Sequence, residues 1–219
     1  MQGEPLLVPR AVHRGGLLLL VGSLQFIAAL IVLQIGFPGY SIFNNVISDL
    51  GNTELSPWWP LFTVSTVLLG AFIISAAVEI RSSFQAGPAR MVGLALLIIT
   101  GIGSIGVGLD PENVRSRIHV LSAGLAFIGG NLALIVLAMA MRGLHPWRRF
   151  RVFSVVLGVI GLVALGLLEA GLYGALGKGG MERLVALPLI VWGIVVGIHL
   201  VRLRTVAPPH HSVPAHVAS

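Results

Sequence analysis

Six stretches of about twenty mostly apolar residues, each long enough to cross the hydrocarbon core of a bilayer, constrain this chain more than any other feature. They run over 15–36, 60–80, 89–109, 118–141, 152–172 and 184–203. Polar or Pro- and Gly-marked connections separate them at 37–59, 81–88, 110–117, 142–151 and 173–183. Hydrocarbon offers backbone N–H and C=O groups no partner, so spans of this kind satisfy them internally, as helices. The expected fold is all-α: a six-helix transmembrane domain over 15–204, a short segment 1–14 before it and a disordered tail 205–219 after it. Composition agrees. The chain is 56% hydrophobic and 10% charged, against about 25% charged in an ordinary soluble domain. The first run is followed by no small-residue cleavage pattern and reads as a retained first helix.

Arginine and lysine positions set the expected orientation. Arg10, Arg14, Arg81, Arg90, Arg142, Arg148, Arg149, Arg151, Arg202 and Arg204 fall on the face that holds both termini. Arg115, Arg117, Lys178 and Arg183 fall on the other, and the long first connection carries none. The positive-inside rule then puts both termini in the cytoplasm of a multi-pass protein of the cell (plasma) membrane. Trp58 and Trp59 are expected at the outer interface and Trp147 at the inner one, as an aromatic belt requires.

The same residues exclude several classes. With no cysteine, the chain has no disulfide, no thiolate nucleophile and no Cys-ligated metal. Its net charge of +6 sits at the ends of apolar runs, a topology signal rather than a nucleic-acid footprint. Gly101, Gly103 and Gly106 match the dinucleotide pattern, yet they lie inside an apolar run with Asp110 four residues on, where the fingerprint needs a strand, a helix and an acid about twenty residues away. Those glycines, with Ser104/Gly108 and Gly193/Gly197, instead predict close helix–helix contact. His210, His211 and His216 fit a solvated tail better than a metal site.

The first connection has its own pattern. Ile42, Phe43, Val46, Ile47 and Leu50 alternate with Ser41, Asn44, Asn45, Ser48 and Asp49 at helical spacing. Ser41 stands where an N-cap belongs and Gly51 where a C′ glycine does. The expectation is an amphipathic helix of about three turns on the outer surface. Its polar face would point to water or roof a site formed by the helix ends.

Phe37-Pro38-Gly39-Tyr40-Ser41, then Ile47-Ser48-Asp49-Leu50-Gly51, resemble the first outer loop of a prokaryotic family known as domain of unknown function 998. The glycine-rich end of the third run, closed by Asp110-Pro111 and followed by His119, is similar to that family too. The resemblance spans roughly 15–203 and implies six helices with little defined chemistry. It also implies a distant likeness to membrane proteins of the Frag/DRAM/Sfk kind, linked to lipid handling. Ser48, Asp49 and His119 invite comparison with membrane hydrolases of the alkaline ceramidase type, but the second and third outer histidines of that zinc site are absent. His13, His145 and His199 belong to the opposite face.

Polar groups within lipid are costly and each needs a reason. Glu169, near the outer end of the fifth run, is either a carboxyl reaching the interface or part of an outer site with Asp49, Asp110 and His119. Ser48 joins these as a catalytic candidate, and His119, Glu169 and Asp110 are the candidates for a divalent metal, although no cofactor is required. Gln25, Gln34 and Asn131 are expected to make interhelical hydrogen bonds. The leading expectation is a non-catalytic bundle that interacts with membrane lipids or binds a protein partner or a second copy through small-residue faces. An outer-leaflet lipid-modifying enzyme, then a small-solute or proton-coupled carrier using Glu169, are the alternatives.

Overall fold

A computed structural model describes residues 7–142 and 147–205. Six helices account for most of them: α1 (Arg10–Gly36), α2 (Trp59–Glu79), α3 (Pro88–Leu109), α4 (Ser116–Ala140), α5 (Arg148–Glu169) and α6 (Gly177–Arg202). All are long and apolar enough to cross a membrane. Prolines mark the starts of α2 and α3, where a missing N–H costs nothing. Leu7–Val8 pairs with Arg204–Thr205 in a two-residue bridge that joins the start of α1 to the end of α6. The tail from 206 on, with its three histidines, and His145 lie outside the described residues.

Each helix packs on its sequence neighbours, and α6 closes the ring against α1. Short connections between consecutive spans make them antiparallel. One end of the bundle therefore gathers the first, third and fifth connections, and the other end gathers the termini. Small residues set the seams. A Cβ added at Gly101 would stand 2.6 Å from the Gly70 carbonyl of α2, and one at Gly197 would stand 2.8 Å from the Gly16 carbonyl of α1. Gln25 of α1 accepts from the Ser65 hydroxyl at 3.1 Å and donates to the Ser65 carbonyl at 3.0 Å. Asn131 of α4 donates to the Val185 carbonyl of α6 at 3.0 Å. In lipid these contacts replace the hydrophobic drive that holds a soluble bundle together. Gln34, by contrast, makes no such bond among the described residues.

One expectation about the spans needs correcting. α1 begins five residues and α6 seven residues ahead of the apolar limits, because arginines and glycines at a helix end remain helical where their polar groups reach the interface. Trp147 is buried against Phe84, Phe150 and His199 at the end of the bundle that holds the termini.

The first connection is shorter in helix than its periodicity suggests. Over the amphipathic stretch 41–51 it makes one backbone turn, with Asn45 N–H on the Ser41 carbonyl, and then a 3-10 turn over Ser48–Gly51. Three further backbone groups are held by side chains or by α6. Gly179 N–H takes the Phe43 carbonyl at 2.8 Å, the Asp49 carboxylate takes Val46 N–H at 3.1 Å, and Glu182 takes Ile47 N–H. A helix through these residues would have to give all three up.

The glycine seams generate a direct test. Gly101→Ala is expected to destabilise the bundle by about 1–3 kcal/mol through overpacking. Gly166→Ala, where an added methyl meets open space, is expected to be neutral or mildly stabilising. Apparent unfolding temperatures of the two variants in one detergent check this.

Candidate functional site

The start of α6 organises the first-loop end of the bundle. Gly177 has φ +67° and Gly179 lies against the loop backbone, so a Cβ on either would run into the Phe43 or the Asn45 carbonyl. This close fit brings the Arg183 guanidinium under the loop. Its Nη1 lies 3.0 Å from the Ile42 carbonyl, 3.0 Å from Asn45 and 2.8 Å from Gly179, and Nη2 donates to the Tyr40 hydroxyl at 2.6 Å. The phenol in turn donates to the Val46 carbonyl at 3.0 Å. Burial pushes the Tyr40 phenol above its ordinary value, against the pull of Arg183, so it keeps the proton this bond requires.

The connection between α3 and α4 holds the loop from the other side. Ser48 donates to Glu112 at 2.7 Å, and Asn113 exchanges two bonds with Thr53, at 3.2 and 2.9 Å. Held at both edges, the loop spans the helix ends and turns Val46, Ile47 and Leu50 inward, while Ile42 and Phe43 stay exposed. It is a roof.

Beneath it lies a cavity of about 80 Å³, room for roughly five waters or a group of that size. Most of its wall is apolar, with Phe26 of α1, Phe62 and Leu69 of α2, Phe127 of α4 and Leu189 of α6 among the larger side chains. Polar groups interrupt it: Ser48 from the loop, Thr66, Thr100, Ser104, His119, Asn131 and Glu182. Glu182 is 7% exposed, with one carboxylate oxygen on Ile47 N–H. His119 Nδ1 is 2.7 Å from the Asp110 carbonyl. A carbonyl can only accept, so Nδ1 carries the hydrogen and Nε2 is left as the basic nitrogen.

The five residues singled out from the sequence do not converge. Ser48 and His119 line the cavity. Asp49 closes the loop turn, taking Val46 N–H and the Asn45 amide. The Asp110 carboxylate pairs with Arg115 at 3.2 Å, and only its backbone meets His119. Glu169 is exposed at the end of α5, which contributes nothing to the wall. Among the described residues no three His, Asp or Glu side chains gather as a metal site would require.

Glu182 is the site residue that sequence reasoning passed over, because it falls ahead of the sixth apolar run. Its signal is periodicity carried backwards: it precedes Val185 by three and Ala186 by four, and both face the cavity. A helix extended through Gly177–Arg183 necessarily turns Glu182 inward.

Residues 20–199 match the model of a family described as a protein of unknown function, DUF998. No curated protein matches the chain, and no solved structure does. The matched span contains all six helices in whole or large part, the roof and every residue of the cavity wall.

The Arg183 clasp predicts its own disruption. Lysine lacks the planar fork that reaches several acceptors at once. Losing charge-assisted bonds worth about 1.5–3 kcal/mol should speed amide exchange at Val46 and Gly179 by roughly tenfold to a hundredfold in Arg183→Lys. Hydrogen–deuterium exchange across the first loop and the start of α6 measures it, with the middle of α3 as the unaffected reference.

Proposed function

The chain belongs to the DUF998 family, and from its roofed cavity we propose a non-catalytic, lipid-interacting membrane protein that holds a small amphiphile beneath the first loop. The observation that carries this reading is the wall itself. Phe26, Phe62, Leu69, Phe127 and Leu189 suit an apolar stem, while Ser48, His119 and Glu182 suit a polar head. The arginine asymmetry supports a plasma-membrane orientation with both termini in the cytoplasm, which puts the cavity in the outer half of the bilayer.

The enzyme alternative has one observation on its side, that Ser48 and His119 share the cavity. The Ser48 hydroxyl, however, directs its hydrogen to Glu112 and not to the imidazole. A Ser–His pair would need that hydrogen on the imidazole. The binding reading uses both residues as they stand.

Two experiments test this account. A diazirine-bearing alkyl probe in liposomes is expected to label peptides carrying Phe62, Leu69 and Leu189, and Ala186→Leu, which fills the cavity, should remove that label. Labelling confined to the lipid-facing residues of α5, such as Val159 and Val163, would refute the binding reading. Because the chain has no cysteine, Glu54→Cys and Ser82→Cys report topology cleanly. A membrane-impermeant maleimide is expected to reach the first in intact cells and the second only after permeabilisation.

A further inference from the structure

The cavity wall is built almost wholly of hydrogen-bond acceptors. Thr66 spends its hydroxyl hydrogen on the Phe62 carbonyl at 2.8 Å, and Thr100 spends its own on Leu96 at 2.8 Å. Ser48 gives its hydrogen to Glu112. Both amide hydrogens of Asn131 go to carbonyls, of Phe127 at 2.8 Å and of Val185 at 3.0 Å. The hydrogen of His119 goes to Asp110. Glu182 accepts Ile47 N–H through Oε2, which leaves Oε1. Only Ser104 has a hydroxyl hydrogen without a partner among the described residues. The wall thus offers lone pairs on Ser48, Thr66 and Thr100, the Nε2 of His119 and one oxygen of a carboxyl group that is more than nine-tenths buried.

A group that completes such a wall must donate several hydrogen bonds and accept almost none. Charge narrows it further. Arg183, Glu112 and Asp49 are charged neighbours of Glu182, and the Arg183 guanidinium is occupied by the loop carbonyls and Tyr40. An anionic head would meet the Glu182 carboxyl and a wall of acceptors. A cation with several N–H donors meets complementary partners, and the phenylalanines of the wall offer apolar surface to its stem. We infer that the cavity selects a primary ammonium head carried on an apolar stem, a statement that rests on the amphiphile-binding reading. The head would be held at Glu182 Oε1 and His119 Nε2.

The test uses the full chain in phosphatidylcholine nanodiscs and reads the apparent unfolding temperature with hexylammonium, hexanol or hexanoate at equal concentration. Hexylammonium is expected to raise it by several degrees at saturation, with hexanol and hexanoate giving little. A second arm replaces part of the phosphatidylcholine with octadecylamine, a membrane-borne primary amine on an apolar stem, and adds no hexylammonium. A rise there identifies a membrane-borne amine as the source, and a rise with hexylammonium alone identifies a free amine; either supports the inference. Glu182→Gln keeps an acceptor for Ile47 N–H, so it is expected to fold and to lose the ammonium response. Ala186→Leu should lose it through filling alone, with the carboxyl intact. Equal stabilisation by hexylammonium and hexanol, or a response that survives Glu182→Gln, would overturn the ammonium inference and leave amphiphile binding standing. No response to any of the three, with none in the octadecylamine arm, would overturn both.

Discussion

The Arg183 guanidinium, shared among three carbonyls and the Tyr40 hydroxyl, converts a surface connection into a roof. A loop over a helical bundle in a membrane carries many backbone groups that neither lipid nor the bundle satisfies by default. Here they find partners in a few residues at the start of α6, with Gly179 N–H on Phe43 and Glu182 on Ile47 N–H completing the set. Without that clasp the loop would be free to complete the amphipathic helix its sequence favours. With it, Ile47 and Ser48 become the ceiling of a cavity. The first two turns of α6, Gly177–Arg183, therefore shape both the loop conformation and the site.

The cavity follows from the way the ring closes. α5 packs in the groove between α4 and α6, with Gly158 and Gly161 against Asn131 and Ile135, and takes no part in the wall. The remaining five helices and the loop enclose space at the first-loop end that larger side chains would have filled. Small residues at the seams bring backbones close, but Ala123, Ala126 and Ala186 facing inward leave a gap between them. In an apolar bundle such a gap costs dispersion contacts, and the polar groups that interrupt it give an occupant reason to stay.

Much of the architecture was legible in the sequence. The six spans, the glycine seams and the interhelical bonds of Gln25 and Asn131 follow from the demand that lipid makes on every polar group, a local demand that a sequence displays directly. The loop was not legible, because the periodicity of Ile42 to Leu50 describes the segment alone. Which hydrogen bonds it makes depends on α6, more than 130 positions away for Glu182 and Ile47. Glu169 drew attention as a carboxyl among leucines, yet it sits at a helix end where it reaches the exterior. Glu182 was hidden by its neighbours Lys178 and Arg183, whose charges resemble a connection although the helix continues through them.

The central claim is that the space beneath the first loop is an occupied binding site and not a packing defect. The most direct measurement is a high-resolution cryo-EM map of the full chain in native lipid, inspected between Glu182, His119 and Phe62. The account predicts continuous non-protein density with its head at Glu182 and its body along Phe62 and Leu189. A cavity that holds only separated waters, or that has collapsed with Phe62 against Leu189, would contradict it.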